Sequence, residues 1–140
     1  GTDQRSWTLM VYLNDVTSNN GCLGYIPGSH KILYNLKSGI FNGKIKFKIF
    51  FTLKNLRELI FDDYYRNYLE TKMDKKLIDN FLNQTNFIND DGKDTLKYDF
   101  NIKKGGALIF NESGVHRGSK ITKNNRLVLR FLYKDIEAPD

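Results

Sequence analysis

Residues 7–13 decide the fold class, and they read Trp-Thr-Leu-Met-Val-Tyr-Leu. Side chains on a β-strand alternate between its two faces, so residues two apart point the same way. A period of two therefore divides this stretch into two sets, which are Trp7, Leu9, Val11 and Leu13 on one face and Thr8, Met10 and Tyr12 on the other. The alternation predicts a β-strand near the start of the sequence.

Further strands are predicted on both sides of a helical region. The dipeptide Asn20-Gly21 is typical of a tight turn after the first strand. Between residues 53 and 82 the apolar residues recur at helical spacing, which predicts two short helices joined near residues 71–74. Residues 83–95 are rich in Asn, Asp and Gly and predict a loop. Strands are predicted at residues 22–26, 44–52, 95–102, 107–110 and 126–133.

This order of elements predicts one mainly β domain over residues 1–140, with a helical and loop insert at residues 53–95. A length of 140 residues supports one domain with one core. Many short strands separated by turns favour an antiparallel sandwich or an open barrel, and the insert would cover one mouth of it. Trp7, Phe110 and Phe131 are expected to lie in the core.

Composition restricts the function classes. The net charge of +6 comes from scattered lysines rather than a dense basic run, so nucleic acid is not the expected partner. No apolar run approaches the ~18 residues that a membrane span requires, and no secretory leader is recognisable. The one cysteine, Cys22, is expected to be a buried thiol. A single cysteine favours a reducing compartment, so the expected location is the cytoplasm.

Three side chains at the two ends of the sequence suggest chemistry. Asp3 precedes the first strand, His116 lies far along the chain, and Arg126 follows His116 by ten residues. A non-haem iron site uses two histidines and one carboxylate and leaves three positions open. Two of these ligands usually stand at i and i+2 on one strand end. With Asp3 as the second of them, the first would be at position 1, which is glycine. Asp3 and His116 are the candidate metal ligands.

An anionic co-substrate beside iron needs a cation, and Arg126 can hold a carboxylate with its bidentate fork. Arg130 is the alternative arginine on the same strand, and Tyr12 and Thr8 are candidate hydroxyl partners for that carboxylate. His30 is interpreted as part of a turn or of the substrate mouth rather than as a metal ligand.

Three segments resemble the iron(II)/2-oxoglutarate dioxygenase superfamily. The segment TDQRSWTLMVYLND (residues 2–15) resembles the first ligand strand of prolyl-hydroxylase-like members. The segments NNGCLGYIPGSHK (19–31) and GGALIFNESGVHRGSKITKNNRLVLRFLY (105–133) resemble the phytanoyl-CoA dioxygenase branch. Together they cover about half the chain in the order that the family shows.

The resemblance implies a double-stranded β-helix, a jelly-roll or cupin-like barrel of which this sequence is the C-terminal part, without the N-terminal elements. It implies Fe(II) on Asp3 and His116, and 2-oxoglutarate on Arg126, with Tyr12 and Thr8 nearby. The implied activity is hydroxylation of a C–H bond in a small-molecule or peptidyl substrate, using O₂ and releasing succinate and CO₂, with ascorbate as a candidate reductant. The alternative is a catalytically inactive barrel used for binding, because the family's first histidine is replaced by Gly1.

Overall fold

Strands occupy both ends of the chain and helices occupy its middle. The computed structural model describes residues 6–90 and 98–134, except for the side chains of residues 89 and 90. The strands are β1 Trp7–Tyr12, β2 Leu23–Tyr25, β3 Ala107–Asn111, β4 His116–Gly118 and β5 Val128–Tyr133. The helices are α1 Ser29–Phe41, α2 Leu53–Phe61, α3 Asp63–Lys72 and α4 Lys75–Gln84, followed by a 3-10 helix at Asn86–Asp90.

The larger sheet has β1 at its centre, paired antiparallel with β3 on one side and β5 on the other. Its register places Met10 opposite both Leu108 and Arg130. The inner face carries Thr8, Met10 and Tyr12, all buried, which confirms the predicted alternation. Trp7 and Phe131 were expected in the core, and this was wrong, because they lie on the other face and are 40% and 45% exposed. Phe110 is buried as predicted.

The smaller sheet pairs β2 with β4, and its register sets Tyr25 opposite His116. Between the two sheets lies a buried cluster of Met10, Tyr12, Val16, Cys22, Leu23 and Phe110. The prediction of antiparallel strands around an interior is therefore confirmed, as is the buried thiol of Cys22. The strands of the described residues do not close into a barrel. In place of the strand predicted at residues 95–102, residues 98–102 form only isolated bridges, and residues 95–97 lie outside the described part.

Three helices replace the two predicted between residues 53 and 82, because two aspartates each begin a new helix. The side chain of Asp74 accepts a hydrogen bond from the amide of Lys76 and caps α4, near the predicted junction. Asp62 accepts in the same way from the amide of Tyr64 and caps α3. The helices enclose a second buried cluster, which includes Leu36, Leu56, Leu59, Leu69 and Ile78.

Helix α1 was not predicted, although Ile32, Leu33 and Leu36 are buried at helical spacing along it. The strand predicted at residues 44–52 was wrong, since the described chain there forms neither strand nor helix before α2. Tyrosine hydroxyls of α3 replace strand pairing at this segment. The amide of Lys46 donates to Tyr64 Oη at 3.0 Å, and Tyr65 Oη donates to the carbonyl of Lys46 at 3.0 Å. Within the described residues, every helix is too short or too polar to cross a bilayer.

Candidate functional site

His116 opens strand β4 at the edge of the interior. Its ring packs against two aromatic rings, with its centroid 6.3 Å from Tyr25 in a stacked arrangement and 5.6 Å from Phe110, and these two rings are 5.8 Å from each other. The Nδ1 atom lies 2.8 Å from the carbonyl oxygen of Gly114. Because a carbonyl oxygen only accepts hydrogen bonds, Nδ1 is assigned as the donor, which leaves Nε2 with a free lone pair. A histidine in this tautomer is ready to bind a metal through Nε2.

The Arg126 side chain reaches the same sheet from the chain that leads into β5. Its Nη1 donates to the carbonyl oxygen of Gly21 at 2.9 Å. A Cβ placed on Gly21 would lie 3.2 Å from Arg126 Cδ, and one placed on Gly118 would lie 3.9 Å from Nη1. Gly118 and His116 are two residues apart on β4 and face the same way. The guanidinium therefore lies roughly 7 Å along the sheet from His116, on the same face.

Tyr12 is fully buried on the inner face of β1. Burial raises the pKa of the Tyr12 phenol, while the positive charge of Arg126 lowers it. The phenol is therefore neutral at ordinary pH and close enough to Arg126 to sense its charge. Its hydroxyl contacts Met10 Sδ at 3.8 Å, a weak interaction that a stronger acceptor can replace. The structure thus places the Tyr12 phenol within electrostatic range of Arg126.

Thr8 lies at the opposite end of β1, four residues or roughly 13 Å from Tyr12. Its Oγ1 is buried and has no hydrogen-bond partner of ordinary geometry among the described residues. It lies beside Glu112, whose pKa is lowered by the Thr8 hydroxyl and by Arg130, which forms an ion pair with that carboxylate. Arg130, the alternative arginine, is therefore already engaged, and Thr8 belongs to the His116 end of the site. Sequence reasoning missed Glu112, although it lies only four residues before His116.

The other candidate metal ligand, Asp3, lies outside the described residues. Within the described ranges no group of three His, Cys, Asp or Glu side chains is arranged to hold a metal ion. His30 lies in the first turn of α1, half-buried, and burial lowers its pKa, with Lys31 contributing.

A cavity of about 810 Å³ opens beside His116. Residues from Glu112 to His116 form one wall of it, and α1 together with residues 47–53 forms the other. The lining is mostly apolar, with Lys37 and Lys48 as its basic residues. The sequence did not predict this cavity, because α1 was not predicted and residues 44–52 were predicted as a strand.

The profile of the phytanoyl-CoA dioxygenase (PhyH) family matches residues 2–126. The chain belongs to this family. The resemblance seen in the sequence is thereby confirmed, and it places the chain in the Fe(II)/2-oxoglutarate dioxygenase superfamily. Phytanoyl-CoA dioxygenases have a dioxygenase-type function in general and use Fe(II), 2-oxoglutarate and O₂. Neither curated proteins nor solved structures gave a match to the chain.

The described residues fit part of what such a dioxygenase needs. His116 offers an imidazole nitrogen of the right tautomer, which suits iron. Arg126 and Tyr12 offer a guanidinium and a phenol for a carboxylate on the same face of the interior. The family match spans residues 2–126, so it includes both candidate metal ligands and the candidate 2-oxoglutarate residues Thr8, Tyr12 and Arg126.

Proposed function

We propose that the chain is an Fe(II)- and 2-oxoglutarate-dependent oxygenase that hydroxylates a C–H bond and releases succinate and CO₂. The observation that carries the proposal is the placement of the Arg126 guanidinium over Gly118, on the His116 face of β4. Fe(II) and a five-carbon dicarboxylate would fit along this face, one end at His116 and the other at Arg126. The two sheets would then be parts of a double-stranded β-helix within one domain, residues 1–140, carrying the insert at residues 53–95.

Each residue has a distinct task in this proposal. His116 through Nε2 and Asp3 would hold Fe(II), which, when bound with 2-oxoglutarate, supplies the oxygen activation that C–H hydroxylation needs. Arg126 binds the distal carboxylate with two N–H donors, and the neutral Tyr12 hydroxyl adds a third hydrogen bond. The buried cluster around Met10 and Phe110 includes Tyr12 and holds its ring in place. The cavity beside His116 would admit the small-molecule or peptidyl substrate.

Anaerobic titration of Fe(II) and 2-oxoglutarate, followed by visible absorption, tests the proposal. A charge-transfer band is expected from 2-oxoglutarate chelated to iron, and His116→Ala should abolish it. The variant Gly1→His restores a histidine two residues before Asp3 and should strengthen the band. If neither the chain itself nor Gly1→His gives a band, the proposal is wrong and the alternative, a barrel that binds without metal chemistry, is favoured.

The role of Arg126 has its own prediction. Arg126→Ala should raise the concentration of 2-oxoglutarate needed for half-saturation by about tenfold or more, because charge-assisted hydrogen bonds are lost. The half-saturating concentration for Arg126→Lys should lie between those of the unmodified chain and Arg126→Ala, since a lysine keeps the charge but not the bidentate geometry. Lys123→Ala, an exposed cation in the preceding loop, is the matched control and should leave the value unchanged. Equal affinities for Arg126→Ala and Lys123→Ala would contradict this assignment.

A further inference from the structure

We infer that Tyr25, Ser29 and Gly114 together hold the ring of His116 in the orientation and tautomer that leave Nε2 free for a metal. They are positioning residues, because each acts on His116 through the backbone or by packing. The inference rests on the proposed function for the metal, but the position of the ring can be tested without it. In this segment the sequence predicts only a position in a turn or at the substrate mouth for His30, next to Ser29.

Ser29 connects the first turn of α1 to the backbone just before His116. Its hydroxyl is fully buried and donates to the carbonyl of Ile26 at 2.6 Å. The same oxygen accepts from the amide of Val115 at 2.8 Å. The amide of Ile26 in turn donates to the carbonyl of Val115 at 3.0 Å. Both polar groups of Val115, the residue next to His116, are therefore fixed by the segment that starts α1.

Tyr25 fixes the other side of the same turn. Its hydroxyl donates to the carbonyl of Asn111 at 2.8 Å, and its ring stacks on His116 with an angle of 17° between the planes. The hydroxyl fills the space next to Gly114, where a Cβ would overlap it and would also lie 2.9 Å from Ser29 Oγ. Only glycine fits at position 114 in this packing. The peptide unit that carries the Gly114 carbonyl is therefore held by Tyr25 on one side and by Ser29, through the amide of Val115, on the other.

The consequence for His116 follows from that carbonyl. It accepts the hydrogen bond from Nδ1 at 2.8 Å, so its position sets both the ring rotation and the tautomer. Outer groups that hold a metal-binding histidine in this way commonly change metal affinity by roughly 10- to 100-fold when they are removed. Sequence separation hides the arrangement, because Ser29 and Val115 are 86 residues apart.

The test uses the metal-free chain, labelled with ¹⁵N, and reads the two ring nitrogens of His116 by NMR. The chain has two histidines, and His30→Gln assigns the signals. The unmodified chain should show Nδ1 protonated and Nε2 unprotonated at a pH where the ring is neutral. Ser29→Ala and Tyr25→Phe should each shift the signals toward a mixture of tautomers. Ser38→Ala and Tyr34→Phe, also in α1, are matched controls and should not. Unchanged His116 signals in both Ser29→Ala and Tyr25→Phe would overturn the inference.

Folding and metal binding are measured on the same variants. Thermal unfolding shows whether a variant has lost only the position of the His116 ring or its whole fold. Tyr25→Phe keeps the aromatic ring at position 25, so it remains informative if Ser29→Ala does not fold. Fe(II) with 2-oxoglutarate should bind Ser29→Ala and Tyr25→Phe at least about tenfold more weakly than the controls. If His116→Ala binds iron as well as the unmodified chain, the proposed function fails. If His116→Ala loses iron while Ser29→Ala and Tyr25→Phe bind it normally, only the positioning inference fails.

Discussion

At the residue scale, Tyr25 makes a prediction about alkaline stability. Burial raises its pKa to about 12, although the nearby Ser29 hydroxyl opposes the shift. An unfolded tyrosine ionises near pH 10. Between pH 10 and 12 the unfolded chain therefore loses this proton while the folded chain keeps it, and the stabilisation present below pH 10 is progressively lost. For one such group the loss is about 1 kcal/mol by pH 11.

Tyr25→Phe should remove that share of the pH dependence. Its free energy of unfolding should start lower at pH 9, by about 1 kcal/mol, because the hydrogen bond to Asn111 is absent. As the pH rises, the free energy of unfolding of Tyr25→Phe should then fall less steeply than that of the unmodified chain. Urea unfolding at pH 9, 10 and 11 measures both slopes, and the buried Tyr12 and Tyr65 contribute equally to each. Parallel slopes would show that the Tyr25 phenol ionises normally in the folded chain.

The residue types alone predicted only some of the side chains that meet at this site. An imidazole and a guanidinium ten residues apart indicated the chemistry, and the structure does set His116 and Arg126 on one face. The glycines that make room for Arg126 were not recognised, because close approach depends on what packs there. Thr8 was predicted to lie near the carboxylate of 2-oxoglutarate, yet it lies next to Glu112, at the opposite end of β1 from Tyr12.

At the element scale, the crossing of α1 and α3 depends on Gly39. Alanine is usually favoured over glycine inside a helix by up to about 1 kcal/mol. A Cβ at position 39 would, however, lie 2.6 to 2.8 Å from the ring and hydroxyl of Tyr68. Gly39→Ala should therefore destabilise the chain by about 1–3 kcal/mol in chemical unfolding. In a Tyr68→Ala background the same change should be neutral or stabilising, and a cost in both backgrounds would exclude the clash as its cause.

The strand with a clear period of two was predictable, whereas elements fixed by tertiary contacts were not. β1 follows the alternation, β3 and β5 lie where strands were predicted, and α4 begins at the Asp74 cap, near the predicted junction. Residues 44–52 have the composition of a strand, but their backbone bonds to tyrosine side chains of α3 instead of to another strand. Local pattern cannot show such a partner, because it lies 18 residues further along the chain.

At the scale of the whole molecule, the described residues form two buried clusters that share no residue. One lies between the sheets and the other among the helices. Ile26 belongs to the helical cluster, while Leu23, three residues earlier, belongs to the sheet cluster. The connection between the two clusters therefore spans only a few residues, and the hydrogen bond from the Val115 amide to Ser29 Oγ is part of it. The sequence indicated one core and did not reveal this division, since helix α1 was missing from the prediction.

Two clusters joined by a short link should open separately. Leu59 is fully buried among the helices, so Leu59→Ala should cost about 2–5 kcal/mol there. Native-state hydrogen exchange should then show faster exchange for amides of α1–α4, with much smaller changes in β1, β3 and β5. Leu23→Ala, in the sheet cluster, is the reciprocal variant and should give the opposite pattern. If each substitution accelerates exchange equally in sheets and helices, the two clusters form a single cooperative unit. Separate opening would allow the helices that line the cavity to move while His116, Tyr12 and Arg126 keep their arrangement.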